Sequence, residues 1–192
     1  MSLCIDLIDD ALPQTQCRQC GYDGCRAYAQ AIVEGAPINR CAPGGREGIA
    51  RLAELTDRPV LELDPDYGHE APFAVARIDA TRCIGCRLCA VACPVGSITG
   101  APKRLFAVIE ETCTGCALCV APCPMDCVEL VELERSWTRE DARRAREAYL
   151  TTQRLRSAML SKKDAEKEHD DATKKAVLDD VMARVRAMMH PR

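Results

Sequence analysis

Fourteen of the 192 residues are cysteines, and eight of them fall into one pattern written twice, Cys83-x2-Cys86-x2-Cys89-x3-Cys93-Pro94 and Cys113-x2-Cys116-x2-Cys119-x3-Cys123-Pro124. Every cysteine of the second copy lies 30 residues after its counterpart. Three thiolates two residues apart on a tight loop can each meet a different iron on one face of a cubane, and the fourth iron needs a cysteine from elsewhere. In two-cluster runs of this kind the fourth cysteine of each motif ligates the other cluster. The spacing therefore assigns Cys83, Cys86, Cys89 and Cys123 to one [4Fe-4S] cluster, and Cys113, Cys116, Cys119 and Cys93 to another. The exchange ties the halves together, so neither should fold well without metal. Structural zinc competes with this reading, but it wants two separated ligand pairs around a tetrahedron, and CxxCxxC crowds three sulfurs into seven residues. Disulfides, the other competitor, need an oxidising compartment that no signal peptide announces.

A different spacing, C-x2-C-x4-C-x15-C, joins Cys17, Cys20, Cys25 and Cys41. It fits a third cluster or a Cys4 zinc site. Gly21 and Gly24 beside these cysteines allow amides to turn toward sulfur, and hydrogen bonds to the sulfurs are one lever on potential. Two cysteines stay outside these sets. Cys127, four residues after Cys123, reads as a buried packing thiol, and Cys4 as a small core residue. His69, His169 and His190 show no metal-ligand spacing and are expected in solvent.

The elements that must carry these cysteines can be read in outline. Residues 2 to 12 form a short amphipathic helix with Leu3, Leu7 or Ile8, and Leu12 on one stripe, acids on the other, and a stop at Pro13. Helices are expected from Arg26 to Glu34 and from Gly45 to Glu54, the latter with Ile49, Leu52 and Ala53 inward. Pro59, Pro65, Gly68 and Pro72 mark a linker. Alternation predicts strands at 73–79, 105–111 and 128–133, with short helices at Leu88–Ala92 and Leu118–Ala121. The order strand, cysteine loop, helix, strand thus occurs twice. From Ser136 a capping box at Thr138 and Asp141 starts a helix marked by Ala142, Ala145, Tyr149, Thr152, Leu155 and Met159. After a charged run at 161–171 a second helix is expected, with Val177, Val181, Val185 and Met188 on one face, Met182 and Met189 alongside, and Arg184 and Arg186 near its end. The whole reads as α+β: a small helical Cys4 cluster domain (1–58), a linker (59–72), a bacterial two-[4Fe-4S] ferredoxin-like domain with βαβ repeated (73–135), and a basic helical tail (136–192).

Composition bounds the function. Aromatic residues are scarce, at 4%, so metal rather than apolar burial alone must hold the cysteine-bearing part. The net charge of −3 divides into −6 over 1–72, −1 over 73–135 and +4 over 136–192. Each oxidised cubane with four thiolates adds about −2, so the cluster-bearing body is acidic, suited to basic docking faces and unsuited to nucleic acid. No apolar run approaches the roughly 18 to 20 residues of a spanning helix. No nucleophile-base pair, GxGxxG loop, or flavin or nicotinamide fingerprint is present, which leaves one-electron transfer as the chemistry.

Two stretches together carry a family resemblance. QCRQCGYDGCRAYAQAI with INRCAPGG, and CIGCRLCAVACPVGSI with CTGCALCVAPCPMDC, resemble the RnfB (RsxB) family, the iron-sulfur subunit of Rnf-type electron transport complexes, over residues 5 to about 133. The resemblance implies that Cys17, Cys20, Cys25 and Cys41 hold a [4Fe-4S] cluster, making three, and that Cys127 matches an extra cysteine that is not a standard ligand. It implies electron relay to other complex subunits, a ferredoxin or a reductase. Members of the membrane complex begin with a spanning anchor and commonly end soon after the second cluster. This chain starts at the short helix and adds the basic tail, which points to a cytoplasmic variant reaching the inner face of the membrane only through partners. A free-standing ferredoxin serving a cytoplasmic reductase or Fe-S enzyme, and a zinc-held interaction module, are the competing functions.

Overall fold

The computed structural model describes residues 4–189, without the side chains of a set of positions between 165 and 188. Leu3 and His190 lie outside the described residues, as do the side chains of His169, Val177, Arg184, Arg186 and Met188. One compact unit runs to Thr152 and a second begins at Gln153.

In the first unit, α1 (Ile5–Ala11) ends where Leu12, held extended ahead of Pro13, can no longer continue the helix. α2 (Cys25–Val33) follows the loop of Cys17 and Cys20, and α3 (Gly45–Thr56) closes on Asp57 in the left-handed conformation at φ 52°. These three helices bury Ile8, Tyr28, Ile32, Ile38, Ile49 and Leu52 against one another. Ile8, not Leu7, supplies the buried stripe of α1, since Leu7 is exposed. Two expectations are corrected here. Cys4 is exposed at the start of α1 rather than packed in the core. Asp9, expected with the other acids on the stripe opposite the apolar one, is buried, with the Arg146 guanidinium 2.6 Å away reaching it from the far end of the unit.

The second half of this unit holds two small antiparallel sheets. β1 (Ala74–Ile78) pairs with β4 (Val128–Glu132), with Ala74 opposite Glu132 and Ile78 opposite Val128. β2 (Ile98–Gly100) pairs with β3 (Phe106–Val108). The helix α4 (Leu88–Ala92) follows the first cysteine loop as expected, but its counterpart at 118–122 is a run of turns. Pro122 occupies the place of Ala92 and disfavours helical backbone at Ala121, so a helix of that length cannot close. The strand β2 is not among the expected strands. Around this α+β core, Ala76, Val95, Ile98, Phe106 and Val128 are buried together with five cysteines.

α5 (Arg139–Met189) is one continuous helix where the sequence pattern predicts two. The run at 161–171 is made mostly of Lys, Glu, Asp and Ala, and no Gly or Pro occurs between 139 and 189, so charge does not interrupt the helix. In the first unit Ala142 and Ala145 are buried, and Trp137 donates its Nε1–H to the Pro13 carbonyl at 2.8 Å. In the second unit Leu155, Met159, Val181 and Val185 are exposed. No helix among the described residues is long and apolar enough to cross a membrane.

Candidate metal centres

Three small cavities in the first unit are lined by cysteines, four each in the first and third and five in the second. The first has Cys17, Cys20, Cys25 and Cys41, held by the loop before α2 and the turn before α3. The second has Cys83, Cys86, Cys89 and Cys123, with Cys127 beside them. The third has Cys93, Cys113, Cys116 and Cys119. Cys93 and Cys123 thus line the cavity of the opposite motif, because the proline after each turns the chain away from its own loop and into β2 or β4.

The backbone of the two motifs repeats as closely as their sequence. Gly85 and Gly115 sit at φ 70° and 65°, and Arg87 and Ala117 at 71° and 60°. A Cβ on Gly85 would collide with the backbone of Arg104, and one on Gly115 with the carbonyl of Ala74, so both loops are pressed against neighbouring chain. Backbone amides face the sulfurs: Ser97 N–H donates to Cys93 Sγ at 3.2 Å, Cys127 N–H to Cys123 Sγ at 3.4 Å and Ala76 N–H to Cys113 Sγ at 3.4 Å. Such donors stabilise thiolate.

Burial dominates the titration of the quartets. It pushes the Cys25 and Cys119 thiols up to about 12 and Cys116 up to about 11, and it raises Cys20, Cys41 and Cys89. Neighbouring thiolates add to the rise, and they follow the exchanged grouping: Cys123 acts on Cys89, and Cys93 on Cys116 and Cys119. Cys123 differs. Although burial opposes it, the amides of Cys127 and Met125 hold its thiol below the ordinary value, while burial and the Cys123 sulfur 3.4 Å away push Cys127 up to about 12. A buried quartet of mutually repelling thiols can ionise together only around a central positive charge, so metal capture would expel protons.

These surroundings fit an iron-sulfur cubane. A tetrahedral zinc site would draw four sulfurs to about 2.3 Å from one point. Among the described residues no group of three His, Cys, Asp or Glu side chains converges as a single ion would require. The quartets line open space instead, with apolar walls such as Ile78, Val95, Leu12 and Ile98. His69 is exposed and lines none of the three cavities. Residues that the cysteine spacing does not single out also line them: Thr15 in the first, Ser97 and Thr114 in the third. The one available signal is the 30-residue offset, which makes Ser97 the counterpart of Cys127.

The first and third cavities open onto a common groove lined by Cys17 and Cys116. Thr114, between Cys113 and Cys116, donates its hydroxyl to the carbonyl of Thr15 at 2.9 Å. The start of α5 fastens the arrangement: Arg146 binds Asp9 and Asp10 of α1, and Tyr149 packs on the ferredoxin-like core while its hydroxyl approaches Gly24.

Comparison with known proteins agrees with this geometry. Residues 76–130 match the family described as "4Fe-4S dicluster domain", and residues 12–43 match "Putative Fe-S cluster". Proteins named as the RnfB component of the ion-translocating oxidoreductase complex are similar. That of Azoarcus sp. is 57% identical over 55% of this chain and 58% of its own length. The Thiobacillus denitrificans protein is 54% identical over 54% of this chain and 56% of its own. The Alcanivorax borkumensis protein is 52% identical over 68% of each. The chain therefore spans less than three fifths of the length of the first two relatives. No solved structure matches it.

Proposed function

The chain belongs to the RnfB family of ion-translocating oxidoreductase complex components, and from that premise we propose that it relays single electrons through three [4Fe-4S] clusters. Cys17, Cys20, Cys25 and Cys41 would hold the first, Cys83, Cys86, Cys89 and Cys123 the second, and Cys113, Cys116, Cys119 and Cys93 the third. The observation that carries this is that these twelve cysteines line three cavities in sets of four, with Cys93 and Cys123 exchanged between motifs and Cys127 a fifth cysteine in the second cavity. Clusters bound there would supply reversible one-electron transfer without bond chemistry in a substrate.

The chain's own residues do the rest. Cysteine thiolates hold the clusters, apolar walls exclude water, and amides of Ser97, Cys127 and Ala76 donate to ligand sulfurs. The Thr15–Thr114 contact orders the sequence of sites: the first cavity abuts the third, and the third shares exchanged ligands with the second. By itself the chain is a carrier. Its place in an ion-translocating oxidoreductase would come through partner proteins at the inner face of the membrane, with residues 1–58 and 73–135 as cluster modules, 59–72 as their link and 136–192 as a basic helical extension.

Anaerobic purification with iron, zinc and acid-labile sulfide analysis tests the reading. Three cubanes give about 12 iron and 12 sulfide per chain. Zinc without sulfide would overturn it.

A further inference from the structure

Between α1 and the first cysteine quartet runs a buried polar chain that holding a cluster does not by itself require. The Gln14 side-chain amide donates to the Asp9 carboxylate at 2.9 Å and also to the Asp9 carbonyl. The Gln16 side-chain amide donates to Gln14 Oε1 at 2.9 Å, and the backbone N–H of Cys25 donates to Gln16 Oε1 at 3.0 Å. Asp9, Gln14 and Gln16 are each no more than 3% exposed. Every donor in the chain therefore points away from the cysteine and toward the carboxylate.

Strained backbone holds the chain in place. Gln14 and Gln16 sit at φ 58° and 55°, in the left-handed region that residues other than glycine rarely adopt. A Cβ on Gly24 would come within 2.8 Å of Gln16 Oε1, so only glycine there leaves room for the bond to Cys25. At the far end the Asp9 carboxylate meets Arg146 at 2.6 Å and Arg26 at 3.7 Å, but both cations are shared, Arg146 with Asp10 and Arg26 with Asp6. Three carboxylates share two guanidiniums, so these five groups carry a net negative charge. Of the three acids only Asp9 is buried, since the side chains of Asp6 and Asp10 are 67% and 58% exposed.

Hydrogen bonds in series polarise one another, and charge acts more strongly across a dry interior than across water. A mere brace for the cysteine loop would need no charge at its end, because an asparagine could accept the same bond from Gln14. The carboxylate polarises each side-chain amide in turn and carries negative potential to the backbone of Cys25, where it opposes the arrival of an electron.

We propose that Asp9, acting through Gln14 and Gln16, lowers the reduction potential of the site held by Cys17, Cys20, Cys25 and Cys41, so that an electron there passes more readily to the adjacent third site. The proposal rests on the cluster assignment made above for the first cavity.

The test is a redox titration of the full chain, purified anaerobically and followed by electron paramagnetic resonance, with the first site identified as the signal that Cys17→Ser removes. Asp9→Asn should raise the equilibrium constant for reduction of that site about tenfold, about 59 mV for one electron, with iron and sulfide unchanged and the other two sites unmoved. Asp10→Asn removes the same charge from an exposed partner of the same Arg146, and should move the first site less than about threefold because solvent screens it. Gln14→Met breaks the chain while leaving Asp9 charged, and in that background Asp9→Asn should shift the site by less than about half as much. Arg146→Gln leaves the cysteine loop and both glutamines in place and should shift the first site in the opposite direction, which decides the matter even if the Asp9→Asn chain fails to hold iron. Equal shifts from Asp9→Asn and Asp10→Asn, an Asp9→Asn shift indifferent to Gln14, or an Arg146→Gln chain whose first site stays put or becomes easier to reduce would overturn the relay. Absence of iron and sulfide from the unmodified chain, or a Cys17→Ser chain that loses no signal, would instead overturn the cluster assignment.

Discussion

Thr114 and Thr15 lie 99 residues apart in sequence and meet through one hydrogen bond of 2.9 Å, hydroxyl to carbonyl, with both residues buried. Thr114 sits inside the loop of the third quartet and Thr15 two residues before Cys17, so this bond joins the walls of two cluster cavities. Thr114→Val keeps the shape and removes the donor, leaving a buried carbonyl unpaired at a cost of about 1–3 kcal/mol. The expected result is a melting temperature lower by several degrees, measured by circular dichroism under anaerobic conditions, with full iron content. Intramolecular electron equilibration, followed by rapid freezing and electron paramagnetic resonance, should slow. Unchanged equilibration would show that the contact is not part of the route.

The exchange of Cys93 and Cys123 has a consequence that sequence order alone would get wrong. Cys93 belongs to the first motif but lines the cavity of Cys113, Cys116 and Cys119. Cys93→Ser should therefore disturb the same paramagnetic signal as Cys113→Ser, and leave the one removed by Cys83→Ser. Each variant should lose between one and four of about 12 irons, as a cubane degrades to a three-iron form or is lost. A Cys93→Ser spectrum matching that of Cys83→Ser would refute the exchange.

Ser97 and Cys127 hold equivalent places, each donating its amide to the fourth cysteine of its motif, at 3.2 and 3.4 Å. Gly96 at φ 68° and Asp126 at φ 46° make the turns that aim those amides. Beyond the amides the two positions differ. The Ser97 hydroxyl is buried beside the third cavity with no partner among the described residues, and the Cys127 sulfur lies 3.4 Å from Cys123 Sγ. A hydroxyl is the stronger donor, and hydrogen bonds to cluster sulfurs favour the reduced state. Ser97→Ala should lower one reduction step about tenfold in equilibrium constant, about 59 mV for one electron. Cys127→Ser should raise a different step. A redox titration monitored by paramagnetic resonance separates the two, and movement of the same step in both variants would contradict the geometry.

Cysteine spacing is local and repeated, so the grouping of cysteines around three cavities, with Cys93 and Cys123 each beside the opposite motif, is legible in the chain. What is not legible depends on partners far away in sequence. Thr15 and Thr114 are ordinary polar residues until the N-terminal module seats on the second motif. Asp9 looks like one more acid on the stripe opposite the apolar one until Arg146, 137 positions on, pairs with it. β2 spans three residues, too few for alternation to register. The continuous α5 is hidden by its charges, although its Ala, Lys and Glu are strong helix formers. Pro122, which prevents the second short helix, is visible in the sequence, and its effect on the preceding residue is the signal that outweighs the apolar pattern there.

Asp141 makes the last expectation one of pH. It is 4% exposed at the start of α5 and accepts hydrogen bonds from the Thr138 hydroxyl at 2.7 Å, the Thr138 amide at 2.9 Å and Arg135 at 2.8 Å, with Arg144 also bound. Burial favours the protonated form, but these four donors outweigh it and hold the carboxyl well below the usual carboxylate range. Because the folded value lies below the unfolded one of about 3.9, the stabilisation is fully present above that pH and is lost as pH falls toward the folded value. Asp141→Asn keeps the shape but gives up the charge that binds Arg135 and Arg144. It should cost about 1–3 kcal/mol in chemical denaturation at pH 7. The difference from the unmodified chain should hold down to about pH 5 and shrink below pH 4. Acid would also release iron, so iron content is measured in both proteins at each pH and only samples of equal content are compared. A difference that grew on acidification would mean that Asp141 is not held as the anion.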